Sequence, residues 1–148
     1  MKIKGIKNHS IEIRIVNYEL PYTGEAYDDN WLDIYVHVKN DVENWETVGP
    51  CLLTAEVHEL IDWLDLLSRD QEPEYTQQRF LEPNLAFYLL NSHDHWKKRL
   101  RIEFDAECKP PSLREEDVYC VEFHVTNEML ADMAQSLREE LAQYPIRN

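Results

Sequence analysis

Two histidines separated by one residue are the most metal-like feature of this sequence. His93 and His95 flank Asp94 in the segment SHDHW, and an H-x-H pair on a strand or turn can share a metal ion. A zinc site needs at least one further protein ligand, and no other histidine has a spacing that nominates it. We therefore expect no bound metal and interpret the segment as a polar turn between two strands.

The three cysteines are the other candidates for chemistry. Cys51, Cys108 and Cys120 lie in or beside apolar, strand-like segments. Their odd number and these positions favour reduced, partly buried thiols over a disulfide framework. No glycine-rich turn or nearby histidine pattern accompanies any of them, so nothing supports a catalytic cysteine.

Motifs for nucleotide binding and hydrolysis are missing from the sequence. It contains no G-x-S-x-G turn, Walker loop, dinucleotide fingerprint or H-E-x-x-H helix, and it has only 3 glycines, so a backbone cradle for phosphate is not expected. We predict that the protein is not an enzyme and uses no cofactor. An enzyme would need a pocket with perturbed ionisable groups, for which only the histidine pair and the thiols are candidates.

The charge balance is strongly acidic. Asp and Glu number 29 against 15 Lys and Arg, which gives a formal net charge of -14. Such a field repels nucleic-acid phosphate and anionic membranes, whereas it attracts and steers a cationic protein partner. The sequence therefore predicts no binding to nucleic acid or membranes. The competing interpretation is that the acidity only keeps the protein soluble.

Acidic residues in predicted loops and one tryptophan are the candidates for partner binding. Loops that a rigid sheet holds in place are common binding surfaces, although a solvated loop is the ordinary alternative. Trp31 and Trp45 flank opposite ends of a predicted hairpin, where an aromatic side chain can anchor a partner or pack at the edge of the core. The candidate partner-binding residues are Asp28, Asp29, Trp31, Glu115, Glu116 and Asp117.

Alternation of apolar and polar residues predicts the strands. Ile11, Ile13 and Ile15 share one face of a strand at residues 10–16. The same period predicts strands at residues 31–40, 42–53, 100–108 and 118–126, and two pieces within 79–91 that are broken at Glu82 and Pro83.

Two segments have helical spacing. In the first, Thr54 is a plausible N-cap, and Glu56, Glu59, Asp62 and Asp65 form a solvated face. The second helix follows Thr126 as N-cap. The apolar faces are predicted to contain Val57, Leu60, Ile61, Leu64 and Leu67 in the first helix and Leu130, Met133, Leu137 and Leu141 in the second.

Together these elements predict an α+β fold. We expect a single domain over residues 1–148, with a curved antiparallel sheet of about six or seven strands and two amphipathic helices. No segment approaches the roughly 20 apolar residues that cross a bilayer, and no signal peptide is recognisable. We expect a cytoplasmic protein.

Several short segments resemble the WapI-type immunity proteins encoded beside bacterial polymorphic toxins. The resemblance covers most of the chain after its first strand. Its residues are Asp29, Trp31 and Leu32, PCLLT at 50–54 with Glu56, Trp63 and Leu64, FLEPNLAF at 80–87, PP at 110–111 and LREELAQYPIR at 137–147.

The resemblance implies a non-enzymatic protein that binds and neutralises a cognate toxin domain, and many such toxins are nucleases. A nuclease is cationic where it holds phosphate, which agrees with the acidity of this chain. The alternative is a non-catalytic regulatory or assembly module with another partner, which would share the acidic surface.

Overall fold

The computed structural model describes residues 1–5, 8–90 and 98–148, and in these ranges the chain forms eight strands and two α-helices. The strands are β1 (Lys2–Lys4), β2 (Ser10–Tyr18), β3 (Trp31–Lys39), β4 (Asn44–Leu53), β5 (Gln77–Arg79), β6 (Leu85–Leu90), β7 (Lys98–Phe104) and β8 (Tyr119–Val125). The helices are α1 (Thr54–Ser68) and α2 (Asn127–Leu141), and short 3₁₀ helices span Asp28–Asn30 and Ala106–Cys108. The segment with His93 and His95 lies outside the described residues.

The strands form two four-stranded antiparallel sheets, in the orders β1-β2-β3-β4 and β5-β6-β7-β8. The α+β class is confirmed, whereas the prediction of one sheet with six or seven strands is wrong. The helix α1 leaves directly from β4, so the next strand starts a second sheet. The prediction missed β1, whose alternation spans only three residues. It also misplaced β5, because the residues of this strand are all polar and carry no apolar alternation.

The alternating residues of β2 and β3 form the inner face of the first sheet. Their antiparallel register pairs Ile11 with Val38 and Ile13 with Val36, and all four side chains are buried. Burial of such a side chain contributes about 1.5–3 kcal/mol. The β3–β4 hairpin turns at Asn40, whose side chain accepts hydrogen bonds from the N–H groups of Val42 and Glu43. The predicted hairpin between these strands is therefore confirmed.

Trp45 on β4 connects the two sheets. Its ring meets the ring of Phe104 on β7 edge to face, with centroids 5.8 Å apart, and its Nε1–H donates to the carbonyl oxygen of Cys108 at 2.9 Å. Because Trp45 is buried, it belongs to the core, and only Trp31 of the two hairpin tryptophans remains a candidate anchor.

The apolar face of α1 is buried as predicted, from Val57 to Leu67. Thr54, however, is not the N-cap, because the helix begins at Thr54 and follows the extended residue Leu53. The Thr54 hydroxyl instead donates to Oδ1 of Asn30 at 3.0 Å. The carboxylate of Glu56 satisfies the helix start by accepting the N–H of Leu53 at 2.9 Å. Glu56 is therefore structural rather than part of a solvated face.

The second helix agrees with its prediction. The hydroxyl of Thr126 accepts the N–H of Met129 at 3.1 Å, and the predicted apolar residues of α2 are buried. The strand predicted at residues 100–108 is shorter in the structure, because β7 ends at Phe104. Ala106, which lies within that predicted strand, is instead exposed in the 3₁₀ helix after β7, with a φ of 50°.

Candidate partner-binding cleft

A cleft of about 570 Å³ lies where the two sheets meet. Four segments line it: the loop between β2 and β3, the middle of β4, the β5–β6 turn and the 3₁₀ helix Ala106–Cys108. The cleft therefore combines side chains from distant parts of the sequence, which is the usual origin of a binding site.

One wall of the cleft is aromatic. Tyr27 and Trp31 pack edge to face with ring centroids 5.9 Å apart, and Tyr27 is 58% exposed. Trp31 is partly exposed at the start of β3. Val48, which is 60% exposed on β4, adds an aliphatic surface. The predicted anchor Trp31 thus lies at a surface that a partner can reach.

The adjacent acids Asp28 and Asp29 have opposite environments. Asp28 is exposed, whereas Asp29 is fully buried and accepts hydrogen bonds from the N–H and hydroxyl of Thr23 and from the N–H of Gly24, at 2.7–3.1 Å. Burial raises the pKa of the Asp29 carboxyl, but these hydrogen bonds, with the nearby Arg147, outweigh burial and lower the pKa overall. Asp29 therefore organises the loop that carries Tyr27.

Asn30 fixes the other side of this loop. Its side-chain oxygen accepts from the hydroxyl of Thr54 at 3.0 Å and from the N–H of Arg147 at 2.9 Å. Its amide donates to the carbonyl oxygens of Arg147, at 2.8 Å, and Ala26. Asn30 is buried, so these contacts anchor the aromatic wall to α1 and to the C-terminal segment.

Three carboxylates border the cleft. Glu19 follows β2, Glu82 lies in the β5–β6 turn, and Glu107 lies in the second 3₁₀ helix. Glu107 accepts a hydrogen bond from the buried Asn84 at 3.0 Å. Within the part of the chain that the structure describes, none of the three forms an ion pair. Unpaired carboxylates beside aromatic rings are the groups that recognise a Lys or Arg side chain.

Cys51 and Cys108 lie together at the floor of the cleft. Both are buried, and their sulfur atoms are 3.4 Å apart in a thiol hydrogen bond. The expectation of buried thiols is correct for this pair, but Cys120 is exposed on β8. No group of three or more His, Cys, Asp or Glu residues within the described ranges is arranged to hold a metal ion.

The second predicted acidic loop is held by a lysine. The ammonium group of Lys109 donates to the backbone carbonyl oxygens of Arg114, Glu115 and Asp117. The side chains of Glu115 and Glu116 are exposed. Arg114 lies 3.3 Å from the carboxylate of Asp117 and 3.9 Å from that of Glu116. The loop therefore displays less unopposed negative charge than its sequence indicates.

The structure does not bring the two predicted acidic loops together. Trp31 starts β3, whereas the loop containing Glu115 lies near the far end of the β3–β4 hairpin, where Ser112 donates to Glu43 at 2.9 Å. A strand of this length separates the two ends by roughly 30 Å. The two groups can therefore be tested separately by mutation.

A comparison with known protein families identifies the family of this chain. Residues 2–145 match the family described as Immunity protein WapI-like family. The chain belongs to this family. Members of the WapI-like immunity family are generally non-enzymatic, and membership implies neutralisation of a toxin partner. The resemblance noted in the sequence is confirmed. A search of curated proteins finds no match.

None of the helices in the described ranges is long and apolar enough to span a bilayer.

The cleft itself was not foreseen from the sequence. Trp31 was singled out, but Tyr27, Glu19, Glu82 and Glu107 were not. The only local signal for the cleft was the position of Asp29 two residues before Trp31, because an acid that favours a loop there precedes an aromatic residue.

Proposed function

We propose that this chain is a cytoplasmic immunity protein that neutralises a cognate bacterial toxin, and that the toxin is a nuclease with a cationic surface. The observation that carries this proposal is the cleft beside Trp31, which is lined by an accessible aromatic wall and by three carboxylates that form no ion pair with any described residue. It supports stoichiometric binding of a protein with exposed Lys or Arg residues. Family membership supplies the class of partner.

In this proposal the cleft receives a cationic side chain of the toxin. A Lys or Arg side chain that enters between Tyr27 and Glu82 gains cation–π contact with the rings and charge-assisted hydrogen bonds with the rim. Since the cleft is concave, these contacts form away from bulk water, where they are stronger. Trp31 then acts as an anchor that limits dissociation.

The exposed acids outside the cleft have a different role. Asp28, Glu115 and Glu116 are at the surface, so they contribute chiefly to the long-range field that steers a cationic toxin. Arg114 offsets part of this contribution, because it lies 3.3 Å from the carboxylate of Asp117 and 3.9 Å from that of Glu116. Asp29 contributes by shaping the loop that holds the aromatic wall. The charge of -14 makes the association rate depend on salt.

The proposal is tested by binding kinetics against the toxin domain encoded next to this gene, at two salt concentrations. The first variant combines Glu19→Gln, Glu82→Gln and Glu107→Gln, and the second combines Glu115→Gln, Glu116→Gln and Asp117→Asn. A control with the same change of charge combines Glu59→Gln, Glu72→Gln and Glu128→Gln, which alter exposed acids outside the cleft.

The cleft variant is expected to dissociate at least about tenfold faster than the control, because it loses short-range contacts. The loop variant is expected to associate more slowly and with a weaker dependence on salt. Equal kinetics for the cleft variant and its control would show that the cleft is not the docking site. No binding of the unaltered chain to the neighbouring toxin would remove the immunity function.

A further inference from the structure

The dithiol at the floor of the cleft is not needed for binding a cationic partner. Cys51 lies on β4 and Cys108 ends the second 3₁₀ helix, so the pair links β4 to this helix across 57 positions of sequence. The exposed fractions of these residues are 1% and 2%.

The neighbouring structure holds both sulfur atoms in place. Cys51 has no partner in the register of β3 and β4, because Pro50 pairs with Asp33 and Leu52 with Leu32. Its thiol instead donates to the carbonyl oxygen of Gly49 at 3.3 Å. The carbonyl oxygen of Cys108 accepts the indole N–H of Trp45 at 2.9 Å, and its N–H donates to the carbonyl oxygen of Asp105 at 3.0 Å. The 3.4 Å contact between the sulfur atoms therefore joins two residues that hydrogen bonds to their neighbours hold in position.

The two thiols are chemically different. The hydrogen bond to Cys108 and burial both raise the pKa of the Cys51 thiol. For Cys108, the hydrogen bond from Cys51 lowers the pKa; burial opposes this effect, and the polar side chains of Thr47 and Asn84 reinforce it. The lowered pKa of Cys108 makes it the better thiolate of the pair. A thiolate beside a second thiol is the arrangement that peroxide oxidises to a disulfide.

We propose that Cys51 and Cys108 are a redox-active pair that hydrogen peroxide converts into an intramolecular disulfide across the floor of the cleft. In the first step, the sulfur of Cys108 attacks one peroxide oxygen, the O–O bond breaks, and Cys108 sulfenic acid and water form. In the second step, the sulfur of Cys51 attacks the sulfenic sulfur, the S–O bond breaks, and a second water leaves with the proton of Cys51. Two thiols are oxidised and one peroxide is reduced to two waters.

The disulfide would connect β4 covalently to the 3₁₀ helix that carries Glu107. This bond would fix the distance between two walls of the cleft, and thiol reductants would reverse it. The reaction is independent of any toxin, so it can fail without affecting the proposed immunity function.

The test treats the folded, full-length chain with hydrogen peroxide, alkylates the remaining thiols and maps the linked peptides by mass spectrometry without reduction. The expected product joins the peptides of Cys51 and Cys108 and leaves the exposed Cys120 alkylated. Cys120→Ser serves as the matched control and should form the same link. Oxidation of Cys120 while Cys51 and Cys108 remain alkylated would overturn the proposal.

A second measurement separates the roles of the two thiols. In Cys51→Ser, dimedone should trap a sulfenic acid on Cys108, because no second thiol is there to resolve it. In Cys108→Ser, Cys51 should remain unmodified under the same conditions. Trapping on Cys51 but not on Cys108 would reverse the assignment, and peroxide linkage of the unfolded chain with equal selectivity would show that the fold does not create the pair.

Discussion

The carboxylate of Glu56 in the first turn of α1 accepts the backbone N–H of Leu81, 25 residues later in the chain, at 2.7 Å. The other carboxylate oxygen accepts the N–H of Leu53 at 2.9 Å. One side chain thus satisfies the start of the helix and holds the β5–β6 turn, which carries Glu82 of the cleft. The hydrogen bonds of Glu56 therefore link the start of α1 to a turn that borders the cleft.

Replacement of Glu56 by Ala should lower the free energy of unfolding by about 1–2 kcal/mol, because two backbone N–H groups lose a charged acceptor. Urea denaturation measures the change. The matched control is Glu59→Ala on the exposed face of the same helix, which should alter stability by no more than about 0.5 kcal/mol. Equal losses in the two variants would contradict the structural role of Glu56.

The buried face of α1 gives a second prediction. Leu64 has no exposed surface, so Leu64→Ala should cost about 2–5 kcal/mol by leaving a cavity in the core. Glu59→Gln should again change stability by about 0.5 kcal/mol or less. The comparison uses the midpoints and slopes of urea unfolding curves. Similar midpoints for both variants would mean that α1 is rotated from the orientation described.

The periodic elements were predictable, and the contacts between them were not. Leu64 belongs to a helical pattern that depends only on its neighbours, so its burial follows from spacing. Asp28 and Asp29 are identical in type and adjacent in sequence, yet one is exposed and the other buried. Their difference depends on the turn at Thr23 and Gly24, whose N–H groups donate to the carboxylate of Asp29. No repeating pattern in the sequence indicates this contact.

The cleft required the tertiary structure for the same reason. Glu19, Glu82 and Glu107 converge from three segments, and no local pattern relates them. The strand β5 was also misplaced, since its polar residues carry no apolar signal. Prediction from this sequence thus succeeded for amphipathic elements and for family, and it failed where polar side chains create the architecture.

The carboxyl of Asp29 predicts a pH effect on stability. Its folded-state pKa lies below the ordinary value of 3.8, so its contribution is fully present above that value and is lost as the pH falls through the folded-state pKa. At neutral pH, Asp29→Asn should be less stable than the parent chain, because the amide cannot accept all the hydrogen bonds. The difference between their urea midpoints should shrink below pH 3.8. A difference independent of pH would contradict the role of the ionised carboxylate.

Trp31 gives a kinetic prediction that rests on the proposed function. Trp31→Ala should speed dissociation of the neighbouring toxin by at least about tenfold while leaving association nearly unchanged, because buried aromatic anchors act on residence time. Surface-based kinetics measures both rates. Tyr75→Ala is the control, since Tyr75 is also exposed, at 62%, but is not part of the cleft. Equal effects of the two substitutions would remove Trp31 from the interface.

The most direct test of neutralisation by binding is a titration of the neighbouring toxin's activity with increasing amounts of this chain. The proposed function predicts that activity falls in proportion to the added chain and ends at an equimolar amount, while the toxin stays covalently unchanged and recovers when the complex is dissociated. Full toxin activity in the presence of excess chain would contradict the account. Loss of activity at a small fraction of an equivalent would also contradict it, because one molecule would then have to inactivate many.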